Sequence, residues 1–352
     1  VPYPSHEAPS QRFRFEQYYS LLTERGHSYS IQSYYSASAW EALYKQNNSI
    51  RIASAVLIGF AKRFSLLGSL QQYNFIFIHR EAMPLGPPFF EWLISRIFQK
   101  KIIYDFDDAI WLTDKTHENW LQQKVRWRSK VSSICQWSYK VSCGNSYLAN
   151  YARLFNQQVI INPTTIDANQ MGKSLHDVEK PVNSKITIGW TGSHSTLKYL
   201  EQIEVVLQQV EKKYSNVQFV VIADQKPILN LKSLKFIPWS RETEIRDLSM
   251  FDIGIMPLPN DEWSKGKCGF KALQYMAMSI PAVASPVGIN IEIIDHGVNG
   301  FLCKSNEEWI TALEKLIQDK NLRDRLGQNG RRRVVDHYSL ASNVDNFLSL
   351  FE

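Results

Sequence analysis

Cysteine is scarce in this chain. The four cysteines, Cys135, Cys143, Cys268 and Cys303, are spread over 352 residues with no C-x-x-C pair. That argues against a disulfide framework and reads as reduced, mostly buried thiols of a cytoplasmic protein. Long apolar runs are also missing. The nearest, Ile52 to Phe60, falls far short of the about 20 residues a membrane-spanning helix needs. No secretory leader is visible, and the opening Val-Pro-Tyr-Pro-Ser, without Met, reads as the end of a first strand. Neither sign of charge dominates: 40 Lys and Arg against 34 Asp and Glu leave +6. That balance suits an anionic substrate or a membrane surface and is too weak to indicate nucleic acid. Internal repeats of 20–50 residues are absent.

What is present is apolar and alternating. Hydrophobic residues make up 44% of the chain, enough for a large core, and the length exceeds that at which one core usually splits in two. Short apolar runs alternate with amphipathic stretches, which predicts parallel sheets with crossover helices. In the first half strands are expected at Ser28–Tyr35, Asn74–His79, Lys101–Phe106, Tyr139–Cys143 and Gln158–Asn162. Helices are expected at Gln11–Arg25, Pro88–Gln99, Glu118–Gln136 and Asn145–Phe155. The polar, aperiodic stretch Asn162–Lys185 reads as a linker. The pattern then restarts, with strands at Ile186–Thr191, Val217–Asp224, Leu234–Trp239, Asp252–Leu258 and Pro281–Ser285, and long helices from about Glu307 to Leu350.

The stretch from Gly266 to Gly288 breaks two local rules. It reads as a helix that begins with Lys267 and Lys271. A helix N-terminus already carries roughly half a positive charge, and lysines four apart repel across one face. An anion such as phosphate would relieve both conflicts. A second concentration of charge, Asp105, Asp107 and Asp108, follows the Lys101–Phe106 strand. Carboxylates at the C-terminal end of a parallel strand point toward ligand sites. Alternation places Asp105 and Asp107 on one face, with Asp108 opposite as a candidate helix cap. An ion pair with Arg80 or Arg12 and an Asp-x-Asp metal site are further readings of this cluster.

The segments Phe251–Leu258, Gly269–Gly288, Gly297–Cys303 and Leu322–Ser339 together resemble the group-1 (family 4) glycosyltransferases. The resemblance covers nearly the whole chain and is most specific from Phe251 to Tyr338. It implies the GT-B architecture: two facing Rossmann-like βαβ domains with an interdomain cleft. The domains would be residues 1–165 on the acceptor side and 166–335 on the nucleotide-sugar side, with 336–352 packing back on the first. It implies a retaining transferase moving a sugar from a nucleotide-diphosphate donor to a glycan or lipid-linked acceptor in surface polysaccharide or glycoconjugate synthesis, with no metal ion and no cofactor.

By the same resemblance Gly266 and Gln274 stand where the family has Glu-x7-Glu, so Lys267 and Lys271 become the substitute donor contacts, with Gln274 on the ribose. Gly192, Ser193 and Lys198 would approach the diphosphate, although the family's Arg is replaced by Trp190 or Thr191. Ile237 and Trp239 would flank the base. Asp107 would orient or deprotonate the acceptor hydroxyl beside Asp105. Arg12, in a loop that is Gly-rich in relatives, would reach a phosphate. The apolar, basic stretch Ser49–Leu70 reads as a core helix or as a surface for peripheral membrane contact. A nucleotide-sugar 2-epimerase of the same architecture and a catalytically degenerate partner subunit are the alternatives.

Overall fold

The computed structural model describes residues 1–45, 49–112, 126–173 and 185–352. The chain forms two compact units: residues 1–164 with 344–352, and residues 165–343. Each is built on a parallel sheet.

Among its described residues the first unit holds four strands in sequential order: β1 (Phe75–His79), β2 (Lys101–Phe106), β3 (Lys140–Cys143) and β4 (Val159–Ile161). β2 lies inside, paired with β1 and β3. Its residues after Lys101 are all buried, as a continuous apolar run demands of a parallel strand covered on both faces. Ser28–Tyr35, expected as a strand, forms no ladder. The expected Gln11–Arg25 helix is broken into Pro9–Arg12, a 3-10 turn at Glu16–Tyr18, and Tyr19–Glu24. Residues 13–16 are all buried, which no continuous α-helix can achieve from one face. The expected Glu118–Gln136 helix lies outside the described residues up to 125; Lys130–Trp137 is helical. Residues 344–352 complete this unit. Phe347 stacks on Tyr18 at 4.1 Å, and the Tyr139 hydroxyl donates to the Glu352 carbonyl.

The second unit holds β5 (Ile186–Thr191), β6 (Val217–Ala223), β7 (Leu234–Pro238), β8 (Ile253–Met256), β9 (Ala282–Ala284) and β10 (Gly300–Leu302). Their order is β10-β9-β8-β5-β6-β7, all parallel. The three-residue edge strand β10 was not anticipated. Trp190, Phe219, Trp309 and Leu313 belong to one continuous core under this sheet. The stretch read as a linker is partly structured: Ile166 bridges to Ser339, Ala168–Lys173 is helical, and Arg331 donates to the Ala168 carbonyl at 3.0 Å. A six-residue helix is too short to show periodicity in sequence. The rest of that stretch, 174–184, lies outside the described residues. The long C-terminal helical stretch divides at Asp319, whose carboxylate caps Lys320–His337 by accepting from the Leu322 N–H. Among the described residues no helix is long and apolar enough to cross a membrane.

Candidate functional site

In the second unit the chain starts in the middle of the sheet, at β5, runs out to β7, and returns to β8 on the other side of β5. The loops after β5 and β8 therefore diverge at a switch point, the place where open parallel sheets receive ligands.

After β5, Gly192 turns the chain tightly; a Cβ there would strike the Trp190 ring. Ser193 then caps the His194–Glu201 helix in a capping box with Thr196, its own N–H donating to Thr196 Oγ1 at 3.2 Å. The backbone N–H of His194 donates to Asp224 Oδ1 at 2.5 Å, and its ring Nδ1 lies 2.5 Å from Asp224 Oδ2. A carboxylate thus already sits at this helix N-terminus, and Ser193 is engaged as a cap. Lys198 lies in the last turn of the helix, its ammonium 5.7 Å from the Tyr199 ring. The sequence carried no clear sign of the His194–Asp224 pair, because its members lie on different strand ends.

After β8, a short helix (Glu262–Lys265) leads through a turn to the helix Phe270–Ala277. Gly269 caps the latter in the left-handed region at φ +69°, where a Cβ would also meet Ile293. The two lysines are consequently not on one helix. Lys267 stands in the turn with its ammonium 5.2 Å from the Trp263 ring, and only Lys271 lies in the first helical turn. The expected same-face repulsion is therefore removed by Gly269. The Lys271 ammonium sits 5.4 Å from the ring of Trp190, the penultimate residue of β5. Both lysines are partly exposed.

Gln274, one turn beyond Lys271, is buried and donates to Glu244 Oε1 at 3.2 Å. The Trp239 indole N–H donates to the same oxygen at 3.4 Å. Glu244 itself is buried. The sequence reading did not single it out, because its partners Gln274 and Trp239 come together only on folding. Ile237 pairs with Ile222 across the β6–β7 ladder. Trp190 with Lys271, and Gln274 and Trp239 with Glu244, are thus two contact groups joined through the helix Phe270–Ala277 into one connected set.

The acidic cluster of the first unit is organised differently from the expectation. Asp105 is 1% exposed. The guanidinium of Arg14, equally buried, forms two bonds to its carboxylate, Ser142 Oγ donates to it at 2.6 Å, and His79 Nδ1 lies 2.7 Å away. Burial alone would raise the Asp105 pKa, but Arg14 and the His79 contact outweigh it and hold the carboxyl well below its ordinary range. Asp105 is therefore a filled structural acceptor, not a companion of Asp107 on an accessible face. β2 ends at Phe106, so alternation does not extend to the next carboxylates. Arg80 holds both, with Nε 2.9 Å from Asp107 Oδ1 and Nη2 2.8 Å from Asp108 Oδ2. No helix starts at Asp108, so it is an ion-pair partner and not the expected cap. Beneath this pair the buried Nε2 of His79 has no hydrogen-bond partner and lies 3.9 Å from Asp107 Oδ1. Arg12 turns toward the Phe13 ring at 4.9 Å; the buried arginine of this segment is Arg14.

Residues 185–319, which hold the connected set, match the family model described as Glycosyl transferases group 1. Among curated proteins, the human "Alpha-1,3/1,6-mannosyltransferase ALG2" is 38% identical over 72 residues, 20% of this chain and 17% of that protein. The "Capsular polysaccharide biosynthesis glycosyltransferase CapM" of Staphylococcus aureus is 22% identical over 184 residues, 49% of this chain and 47% of that protein. The chain thus spans less than half the length of either relative. Among solved structures, Anabaena Alr3699/HepE in complex with UDP and glucose superposes with a TM-score of 0.65 at 14% identity, covering 96% of this chain and 89% of that one. Sucrose-phosphate synthase from Thermosynechococcus elongatus gives 0.63 at 13% identity, covering 86% and 79%. The fold is GT-B, with two Rossmann-like units. The match to group 1 glycosyltransferases lies within the second unit.

Proposed function

We propose that the protein is a retaining glycosyltransferase that moves a sugar from a nucleotide-diphosphate donor to a hydroxyl of a glycan or lipid-linked acceptor, in surface polysaccharide or glycoconjugate synthesis. The observation that carries this reading is the connected set Trp190–Lys271–Gln274–Glu244–Trp239 at the strand ends of a group 1 domain. It combines a partly exposed cation for a diphosphate, buried polar groups for ribose hydroxyls, and an indole for a base. Lys267 and Lys271, with Lys198 as a more remote contributor, offset the charge that grows on the diphosphate as the sugar leaves, so this reading calls for no metal ion. Asp107, its direction set by Arg80, orients the acceptor hydroxyl. Arg12 keeps the role of an additional phosphate contact.

Two similarities support the reading: Alr3699/HepE was solved with UDP and glucose, and CapM is named for capsular polysaccharide biosynthesis. The deciding experiment is a thermal-shift screen with UDP, GDP, dTDP and ADP, since a ligand bound only by the folded state raises its stability. One of them should raise the melting temperature, and its sugar derivative should then be consumed only with acceptor present. No shift with any of them would leave a non-catalytic partner subunit; donor turnover without acceptor would indicate a 2-epimerase. The helix Ser49–Leu67 exposes Leu57, Ile58 and Phe64, and Phe64 lies against Phe60 and Phe89, both also exposed. This surface is the proposed peripheral contact with the cytoplasmic membrane face, to be tested by flotation with anionic vesicles.

A further inference from the structure

We propose that His79 is a positioning residue that acts through Asp107: its Nε2 is the atom against which Asp107 lodges the proton that it takes from an acceptor hydroxyl. This rests on the reading of the protein as a glycosyltransferase whose Asp107 meets the acceptor, and deepens it by giving that proton a destination. His79 ends β1 and is fully buried. Its two ring nitrogens face two carboxylates of one neighbouring segment. Nδ1 lies 2.7 Å from Asp105 Oδ2, and Nε2 lies 3.9 Å from Asp107 Oδ1. Asp105 is held ionised by Arg14 and also accepts from Ser142. An ionised carboxylate only accepts, so the hydrogen of the His79 contact sits on Nδ1. The tautomer is thereby set, and Nε2 is the nitrogen left with a lone pair.

The distance to Asp107 agrees with a bare Nε2. A ring N–H facing a carboxylate closes to about 2.8 Å, whereas 3.9 Å is beyond hydrogen-bonding range. Among the described residues this buried nitrogen has no hydrogen-bond partner, and the Phe15 ring lies 5.3 Å from the imidazole. Nε2 and Asp107 Oδ1 are two acceptors that a single hydrogen would join. Arg80 keeps the carboxylate within reach, with Nε on Asp107 and Nη2 on Asp108. Its backbone takes the left-handed region at φ +59°. It is locked there by its own N–H on the Asp105 carbonyl and by the Tyr104 hydroxyl on its carbonyl, both at 2.7 Å. A non-glycine residue held in that region stores strain, and here the strain sets the guanidinium on the two carboxylates. Tyr3 and Glu81 share this electrostatic neighbourhood. In the transfer step the acceptor oxygen bonds to the anomeric carbon while the bond from that carbon to the diphosphate breaks, its electron pair leaving with the diphosphate. The acceptor's proton passes to Asp107 and, after a shift of about 1 Å, is shared with Nε2. Asp105 on Nδ1–H steadies the positive charge that the ring then takes on, and the proton returns to solvent through Asp107 after product release.

The test compares His79→Asn, Asp107→Asn and the double variant in the full chain, with the nucleotide sugars of UDP, GDP, dTDP and ADP as donors. Asparagine keeps an N–H for Asp105 and has no atom at the place of Nε2. Transfer by His79→Asn should fall by about 100-fold, as for Asp107→Asn, with nucleoside-diphosphate affinity unchanged. The double variant should be no slower than either single one, because both remove the same proton step. Full activity in His79→Asn, or losses that multiply in the double variant, would overturn the proposal. Should the buried substitution prevent folding, nitrogen NMR of the wild type with ring-labelled histidine decides: Nδ1 should carry a hydrogen and Nε2 should not, and an Nε2–H in the resting protein would overturn the proposal. A wild type that consumes none of these donors defeats the transfer reading and the proposal with it. An active wild type with an Nε2–H signal defeats the role of His79 alone.

Discussion

The two units place polar groups at the C-terminal ends of parallel strands in opposite ways. In the first, the charge is settled internally: Arg14 answers Asp105, Arg80 answers Asp107 and Asp108, and Ser142 and His79 complete the interior. In the second, Lys267 and Lys271 face aromatic rings at more than 5 Å and stay partly exposed. Charges that saturate one another hold a fold together. Cations set on rings beside a switch point fit the anion that the proposed donor would bring.

The sharpest way to break this contrast is Arg14→Ala. It would leave the Asp105 carboxylate buried without its counter-ion, at a cost of about 3–5 kcal/mol. Urea unfolding should show the loss in the first unit; a change below about 1 kcal/mol would mean that the pair is not structural. The next largest effect tests whether the acidic cluster also serves chemistry. Asp107→Asn keeps the size and removes the charge, and transfer should fall by about 100-fold with donor affinity nearly unchanged. Full activity in this variant would assign Asp107, like Asp105, to structure alone.

In the second unit, Lys267→Ala and Lys271→Ala should each weaken nucleoside-diphosphate binding by about 1.5–3 kcal/mol, the scale of hydrogen bonds to charged groups, with little change in stability. Equal affinities by calorimetry would remove them from the donor site. The acid limb separates the units more gently. The folded Asp105 pKa lies below its unfolded value of about 3.9, so its stabilisation is complete above that pH and fades as pH falls through it. Asp105→Asn should flatten the low-pH stability profile of the first unit, and an unaltered profile would count against the pairing. The smallest effect belongs to Ser193→Ala, about 1 kcal/mol of stability for a lost cap, with diphosphate affinity preserved. A marked affinity loss there would restore Ser193 to the donor site.

Much of this was legible along the chain. Apolar runs of five to eight residues between amphipathic stretches identified nine of the ten strands among the described residues, because strand burial depends on neighbours in sequence. The Gly266–Gly288 stretch singled out Lys267 and Lys271 as cations at a helix start, and the family resemblance singled out Gln274. What escaped were contacts between residues far apart: Arg14 with Asp105, 91 positions away, and Gln274 with Glu244, 30 positions away. Arg12 was singled out as the phosphate contact of its loop, and only packing shows that Arg14 is the side chain that turns inward.

By itself the sequence determined the class of fold, two parallel α/β units, and the location of the cation-bearing turn after β8, since both follow from local periodicity and spacing. Only the tertiary structure decided which charges are spent inside the protein. Whether a carboxylate is a reagent or a brace depends on the counter-charge that folding brings to it, and burial makes an unmatched charge too costly to remain.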